Sequence, residues 1–410
     1  MRLQGYPDHH PAATTRTILI VVLLLLFLCA SSSLAAEEQS SSKPCRFPAI
    51  FNFGDSNSDT GGISAVFYPI VMPYGQTFFG KAVGRASDGR LMVDFFAESL
   101  GLPYLSAYLN SVGANYHHGA NFATGSSTIM MPNETFFKGG RSPFNLQIQI
   151  AQFIQFKTKA LDPDTGNSSR MPKPETFQKG IYTIDIGQND IADILYKLRR
   201  DEAIAAIPAM IDQVATAIKI LHYQGARVFW VHNTGPIGCL PYTLTYVPKN
   251  PPSGYLDKNG CIRDENEVAQ EFNKQLKDTI LDLRRELSDA VLTYVDVYAA
   301  KYGLISDAAN QGFGPPAKIC CGYFKDDIRV RCANRDVVNG TEIYGEPCAN
   351  PSSIISWDGV HYTEAANKWL ATRILNGSYS DPPIPFAQAC QRQQKAKNYD
   401  GTKCLVHYIT

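Results

Sequence analysis

Short apolar segments alternate along this chain with longer segments whose apolar residues recur every three to four positions, and this alternation restricts the fold more than any other feature. The short segments have the length and apolar content of buried strands: Ala49–Phe53, Gly180–Ile186, Arg227–His232 and Ala290–Val295. An amphipathic helix is predicted between the second and third strands, on the apolar stripe Ile207, Met210, Ile211, Val214, Ile218 and Leu221. A second is predicted between the third and fourth strands, on the stripe Val268, Phe272, Leu276, Ile280, Leu283 and Leu287. Buried strands that alternate with helices predict a parallel sheet covered on both faces.

A serine follows the first predicted strand, in the segment Gly54–Gly62 (GDSNSDTGG). Ligands of open parallel sheets bind beyond the carboxyl ends of the strands, so Ser56 lies where a nucleophile can reach a substrate. If a helix begins near Ser56, its free N–H groups also face a developing oxyanion. The alternative is a helix N-cap, in which Asp and Ser side chains satisfy the first backbone N–H groups. The chain contains no G-x-S-x-G elbow, which disfavours the usual α/β-hydrolase type.

A second candidate pair lies near the end of the chain, in Trp357–His361 (WDGVH). Asp358 precedes His361 by three residues, so one local loop can turn its carboxylate onto the imidazole Nδ1–H. That contact would fix the tautomer and leave Nε2 free to accept the proton of a serine hydroxyl. The alternative is a surface turn before a helix that starts near Thr363.

Two further segments carry hydrogen-bond donors of the kind that an oxyanion hole needs. Gly187–Asp190 (GQND) directly follows the second predicted strand, and Asn121–Ser127 (NFATGSS) lies between the first two strands. Each offers a glycine N–H or an Asn amide. Each is equally typical of an ordinary βα turn with an Asn cap.

In this order and spacing, the four segments resemble the GDSL or SGNH hydrolase superfamily, and in particular its plant secreted GDSL esterase/lipase branch. The likeness runs from about Phe47 to Phe386 and includes Gly84–Gly101 (GRASDGRLMVDFFAESLG), Gly235–Pro241 (GPIGCLP) and Trp357–Ala366 (WDGVHYTEAA). It implies a flavodoxin-like three-layer α/β/α sandwich with a parallel sheet of about five strands. It implies neither a metal nor an organic cofactor.

The resemblance also implies a role for each matching residue. Ser56 would be the nucleophile, His361 its general base and Asp358 the acid that orients the imidazole. The backbone N–H groups of Ser56 and Gly125, with the side-chain amide of Asn189, would form the oxyanion hole.

The sequence departs from the family pattern at one position, and it leaves open which of two glycines supplies the backbone oxyanion donor. Asn57 replaces the Leu that gives the motif its name, but this position lies outside the catalytic group. Gly119 lies in the same segment as Gly125 and is the alternative source of the backbone donor.

Residues 1–36 are predicted to be a secretory signal peptide. Basic residues precede the apolar run Ile18–Ala30, small residues follow it, and the run is shorter than the roughly 20 residues that span a membrane. An uncleaved signal anchor is the alternative. We expect a hydrolase domain at 45–390, a polar tail at 391–410, no stable membrane span and an extracellular location in the cell wall or apoplast. Glycosylation sequons begin at Asn133, Asn167, Asn339 and Asn376.

The cysteines favour export as well, since ten are many for a reduced cytosol. Cys29 would leave with the signal peptide, and nine would remain, so one thiol should be unpaired within the chain. No spacing is typical of a zinc site. We expect a bridge between Cys239 and Cys261, local bridges among Cys320, Cys321, Cys332 and Cys348 with open connectivity, and a clasp between Cys45 and Cys390 that leaves Cys404 unpaired.

Charge narrows the range of partners. The chain has 38 Lys and Arg residues against 38 Asp and Glu residues, so it lacks the basic excess that nucleic acids and anionic membranes attract. The expected substrate is a small-molecule, lipid or carbohydrate ester, and export favours short acyl groups such as acetyl on carbohydrates or glycosides. An acyltransferase with the same acyl-enzyme and a catalytically silent carbohydrate-binding or defence protein are the alternatives.

Overall fold

In the computed structural model, which describes residues 44–136, 140–164, 168–325 and 328–391, the four predicted strands lie side by side in one six-stranded sheet. Its strands are β1 (Ile50–Gly54), β2 (Gly119–Asn121), β3 (Ile181–Asp185), β4 (Val228–His232), β5 (Val291–Val295) and β10 (Ser380–Asp381). Their order is β10-β5-β4-β3-β1-β2. Five strands are parallel, as expected, and β10 adds an antiparallel edge beside β5.

Ten helices accompany the strands in the described part of the chain. They are α1 (Gly62–Val66), α2 (Met92–Ser99), α3 (Leu146–Leu161), α4 (Thr176–Lys179), α5 (Gln188–Lys197), α6 (Arg200–Tyr223), α7 (Pro241–Leu244), α8 (Arg263–Glu286), α9 (Val297–Ser306) and α10 (Glu364–Leu375). The two predicted stripes lie on α6 and α8, and both face the core. By length and composition, α6 is the one described helix that could cross a membrane. Its apolar stripe is buried in the core that it shares with the strands of the sheet.

Side-chain alternation along the strands divides the interior into two layers. In β1, Phe51 and Phe53 enter a core shared with α3, α6 and α8, whereas Ile50 enters a second core shared with α2, α9 and α10. In β4, Phe229 follows the first pattern and Trp230 the second. A strand that is apolar on both faces needs a helical layer on each side, so the predicted three-layer α/β/α sandwich is confirmed.

Two small hairpins and four disulfides lie around this sandwich. The hairpins are β6 (Gly322–Lys325) with β7 (Ile328–Arg331) and β8 (Arg335–Val338) with β9 (Thr341–Tyr344). The disulfides of the described residues join Cys45 to Cys390, Cys239 to Cys261, Cys320 to Cys348 and Cys321 to Cys332. The expected pairs are present, and the connectivity of the four-cysteine cluster, which the sequence left open, is 320–348 and 321–332.

Several predictions fall on residues outside the described ranges. These are the signal peptide, Cys29, Cys404, the sequon at Asn167 and the tail beyond residue 391. The other three sequon asparagines, Asn133, Asn339 and Asn376, are exposed, which is what a glycan requires. Glycosylation stays a prediction at all four.

Candidate active site

Ser56 lies in a turn just beyond the carboxyl end of β1. The strand ends at Gly54, where an added Cβ would lie 2.4 Å from the Asp185 carbonyl oxygen and 2.6 Å from Ser58 Oγ, so only glycine fits. The conditional expectation of a helix at Ser56 is wrong, because the next helix begins at Gly62. The N-cap alternative also fails for Ser56. It is the Asp59 carboxylate that accepts the N–H groups of Gly61, Gly62 and Ile63 at the start of α1.

The Ser56 hydroxyl, His361 and Asp358 form one line of hydrogen bonds. His361 Nε2 lies 2.7 Å from Ser56 Oγ, and His361 Nδ1 lies 2.7 Å from Asp358 Oδ2. An ionised carboxylate only accepts hydrogen bonds, so Nδ1 carries the proton and Nε2 is left to accept from the serine. The three side chains come from opposite ends of the chain, and the turn after β1 meets the loop before α10.

Local backbone geometry explains why Asp358 faces the imidazole. Its other oxygen, Oδ1, accepts the N–H groups of Val360 at 3.0 Å and His361 at 2.8 Å, which closes the loop on itself. Gly359 has a φ of 95°, a left-handed conformation that favours glycine. The loop does precede a helix capped by Thr363, as the alternative expected, but the Thr363 hydroxyl caps α10 and the Asp358 carboxylate contacts His361 instead.

Electrostatics favour the ionised forms of this pair. Burial raises the pKa of Asp358, but the charge of His361 and three hydrogen bonds outweigh it, and the net pKa lies below its ordinary value. Burial lowers the pKa of His361, but the Asp358 charge and hydrogen bond, with a contribution from Asp55, raise it overall. The site is therefore built to stabilise an imidazolium, which is the state that forms when the serine loses its proton.

Asn189 lies at the start of α5, close to the same strand ends. Its Nδ2 donates to Ser127 O at 2.8 Å and approaches Asp55 Oδ2 at 3.4 Å. Ser56 and Asn189 are both partly exposed, whereas Asp55 and Asp190 next to them are buried. The next residue, Asp190, accepts the N–H groups of Ile129 and Met130, so it ties α5 to the segment after β2.

The backbone donor expected from Gly125 is already engaged. The Gly125 N–H donates to Asp59 Oδ2 at 2.7 Å, so it is not free to bind an oxyanion in this structure. Gly119 is no substitute, because it pairs with Ile50 at the amino end of the sheet and its N–H donates to Tyr116 O at 2.9 Å. The N–H of Ser126 has no hydrogen-bond partner among the described residues, and Ser126 has a left-handed φ of 63°.

Sequence reasoning missed three side chains of this site. Tyr74 donates to Asp358 Oδ2 at 3.0 Å, and no local signal connects residues so far apart. Asp55 is buried, and its burial and the neighbouring Asp185 raise its pKa to about 6. Asp59 lies in the segment Gly54–Gly62 around Ser56, and this position was the one sequence signal that could have pointed to it. Within the described ranges, no group of three or more His, Cys, Asp or Glu side chains is placed to hold a metal ion.

Comparison with known proteins identifies relatives along most of the chain. The family model described as GDSL-like Lipase/Acylhydrolase matches residues 50–374. A GDSL esterase/lipase of Arabidopsis thaliana is 55% identical over 85% of this chain and 91% of its own length. A GDSL esterase/lipase of Zea mays is 48% identical over 84% and 89%. A third relative, named alpha-L-fucosidase 3, from Arabidopsis thaliana, is 44% identical over 85% and 93%.

Proposed function

The chain belongs to the GDSL-like lipase/acylhydrolase family and is a carboxylic ester hydrolase, and we propose that it works through an acyl-enzyme on Ser56. The observation that carries this proposal is the line of hydrogen bonds from Ser56 Oγ through His361 to Asp358, with both distances at 2.7 Å. A serine hydroxyl is a weak nucleophile until a neighbouring base accepts its proton, and this line provides the base and its orienting acid.

The proposed reaction has two halves. Ser56 Oγ attacks the ester carbonyl while its proton passes to His361 Nε2, and the C–O bond to the alcohol breaks as His361 returns that proton to the leaving oxygen. Water then attacks the acyl-enzyme, again with His361 as the base, and releases the acid and the free serine. Both halves place negative charge on the former carbonyl oxygen.

We assign the oxyanion donors to the N–H of Ser56, the side-chain amide of Asn189 and the N–H of Ser126. The last replaces the donor expected from Gly125, because the Ser126 N–H lacks a partner in the described structure and lies in the same turn. Each such donor is worth roughly 3–4 kcal/mol in the transition state.

We further propose that the protein is secreted and acts on short acyl esters of carbohydrates or glycosides, with lipid esters as the other class. Four disulfides and three exposed sequon asparagines support export. An aromatic group at the end of α1, where the Asp59 charge acts on Tyr68, supports a sugar-bearing substrate. Tyr68 is half exposed, and Phe136 packs edge to face on both Tyr68 and Phe67. Such faces stack on the apolar side of a sugar ring.

A substrate panel with wild type and Ser56→Ala side by side tests the proposal. The panel comprises 4-nitrophenyl acetate, butyrate and decanoate, and an acetylated xylo-oligosaccharide. It also includes 4-nitrophenyl α-L-fucoside, because one relative is named alpha-L-fucosidase 3. We expect turnover of the short esters by wild type alone, and fluorophosphonate labelling of Ser56. Ester turnover or labelling that persists in Ser56→Ala would overturn the nucleophile assignment. Fucoside turnover without ester turnover would overturn the ester chemistry.

Product analysis with an added alcohol distinguishes the hydrolase from an acyltransferase. Water and an alcohol compete for the same acyl-enzyme, so a hydrolase yields mainly free acid at moderate acceptor concentration. Ester product that exceeds free acid under these conditions would show that the chain is a transferase.

A further inference from the structure

Arg141 lies outside every motif that the sequence analysis singled out, yet its guanidinium contacts Asn189. We propose that Arg141 is a positioning residue for the ester hydrolase reaction: it holds the Asn189 amide with Nδ2 towards the oxyanion. The inference rests on the proposed function, because it matters only if Asn189 is an oxyanion donor.

The contacts of Arg141 connect two residues on one face of α5. Nη1 donates to Asn189 Oδ1 at 3.0 Å, while Nε and Nη2 donate to Asp193 Oδ1 at 2.8 and 2.5 Å. Asn189 and Asp193 are four residues apart on the helix, so their side chains are neighbours. The planar guanidinium carries its donors at fixed angles, so the ion pair with Asp193 sets where Nη1 points.

An arginine can set the orientation of an amide because it has donors only. A rotation of the Asn189 amide by 180° would exchange Oδ1 and Nδ2, and it would point an amide N–H at the guanidinium and a carbonyl lone pair at the oxyanion. Arg141 accepts no hydrogen bond, so it excludes the rotated form. Ser127 O favours the same orientation, since it accepts from Nδ2. The cation also polarises the amide, which strengthens its N–H as a donor.

The backbone next to Arg141 supports a second proposed donor. Ser142 N donates to Ser126 O at 3.1 Å, and Arg141 N donates to Glu134 O at 2.9 Å. The left-handed conformation of Ser126 is costly for a residue other than glycine, and it persists only where neighbouring contacts hold it. The segment that presents the Arg141 side chain to Asn189 therefore also holds the Ser126 carbonyl, in the peptide that follows the proposed N–H donor.

The ion pair itself contributes little to stability, and this makes the proposal testable. The side chains of Arg141 and Asp193 are 26% and 32% exposed, and pairs of this kind typically contribute no more than about 1 kcal/mol. Variants at these positions should therefore fold. The matched control is Arg285→Gln, which removes an exposed arginine ion pair at the end of α8, where the chain returns to the amino end of β5.

The experiment is a double-mutant cycle on the full chain with 4-nitrophenyl acetate. Asn189→Ala should lower kcat by roughly 10²–10³, the usual loss for one donor, and Arg141→Gln by about tenfold with little change in KM. Arg141→Lys should recover part of the loss in kcat, because lysine keeps a cationic donor but lacks the planar guanidinium with its donors at fixed angles. In the Asn189→Ala background, Arg141→Gln should cost nothing more, since its effect passes through Asn189. Arg285→Gln should match wild type.

The outcomes separate this inference from the proposed function. A large loss in Asn189→Ala together with wild-type kcat in Arg141→Gln would overturn the positioning role alone. An Arg141→Gln loss that is equally large in the Asn189→Ala background, or that appears only as a raised KM, would also overturn it. Wild-type kcat in Asn189→Ala would instead remove Asn189 from the proposed oxyanion hole.

Discussion

At the scale of single residues, the proposed chemistry depends on where the proton of Ser56 goes. His361 can accept it only while its imidazole is neutral, and Asp358 stabilises the cation that then forms. Tyr74 contacts the same carboxylate oxygen as His361 Nδ1, since its phenol O–H donates to Asp358 Oδ2. Two substitutions in this chain should therefore move the pKa of His361 in opposite directions.

The first prediction concerns Asp358→Asn. Removal of the carboxylate removes the interaction that raises the pKa of His361, whereas the burial that lowers it remains. We expect the acid limb of the pH profile of kcat/KM to move to lower pH, because the imidazole then becomes neutral at lower pH. The plateau should fall at least tenfold, as the tautomer is no longer fixed; in the serine protease triad the same exchange costs about 10⁴ in kcat. An unshifted limb with a wild-type plateau would contradict the role of Asp358.

The second prediction concerns Tyr74→Phe. The phenol hydrogen bond delocalises the charge of Asp358, and its loss should strengthen the pull of the carboxylate on the imidazolium. We expect the acid limb of kcat/KM to move to higher pH, opposite to the shift in Asp358→Asn. Titration of the His361 ring by NMR in both variants measures the pKa directly. Shifts of the same sign in the two variants would contradict this account.

At the scale of elements, aromatic packing holds β1, the strand before Ser56, against its covering helix α3. Phe153 of α3 lies edge to face on Phe51 and Phe53 of β1 and on Phe122 after β2. Gln149, one turn earlier on α3, accepts the N–H of Gly54 and donates to its carbonyl oxygen. The helix therefore anchors the strand end from which Ser56 projects.

The third prediction compares two truncations on α3. Phe153→Ala removes a fully buried ring and leaves a cavity, so the free energy of unfolding should fall by about 3–5 kcal/mol. Leu161→Ala is the control at the exposed end of the same helix and should change it by less than about 0.5 kcal/mol. Urea denaturation measures both. Equal effects of the two substitutions would show that α3 does not depend on this contact.

At the scale of the whole molecule, one disulfide joins the two ends of the described hydrolase body. Cys45 precedes β1 and Cys390 follows β10, at a sequence separation of 345. Cys45 N also donates to Ala387 O at 2.7 Å, so the bridge and the backbone hold the same two segments. A cross-link over so long a loop restricts the unfolded chain strongly.

The fourth prediction concerns the double variant Cys45→Ser with Cys390→Ser. The free energy of unfolding should fall by about 2–5 kcal/mol, because the unfolded chain gains the entropy that the bridge removes. Denaturant midpoints under non-reducing conditions measure it. The kcat of the folded variant should stay close to wild type, since the bridge lies near the amino end of β1 and Ser56 beyond its carboxyl end. An unchanged midpoint would contradict the stabilising role of the clasp.

The sequence by itself determined the four central strands of the sheet and the candidate catalytic residues. Buried strands such as β1 and β4 are visible as apolar runs because both of their faces are covered, and the stripes of α6 and α8 follow from helical spacing. Asp358 and His361 could be paired because three residues separate them, so their contact is a property of one short loop. Ser56 could be placed because its segment directly follows a strand.

Tertiary structure alone decided the contacts between segments that are distant in the chain. The three-residue strand β2 and the two-residue strand β10 are too short to show a period, and only pairing with β1 and β5 makes them strands. The Gly125 N–H faces Asp59, and Arg141 faces Asn189, because loops from different strands meet at one end of the sheet. These contacts between loops depend on the path that each loop takes past the carboxyl ends of the strands. Local periodicity carries no information about that path, so the engagement of the Gly125 N–H by Asp59 and the contact of Arg141 with Asn189 became visible only in the folded chain.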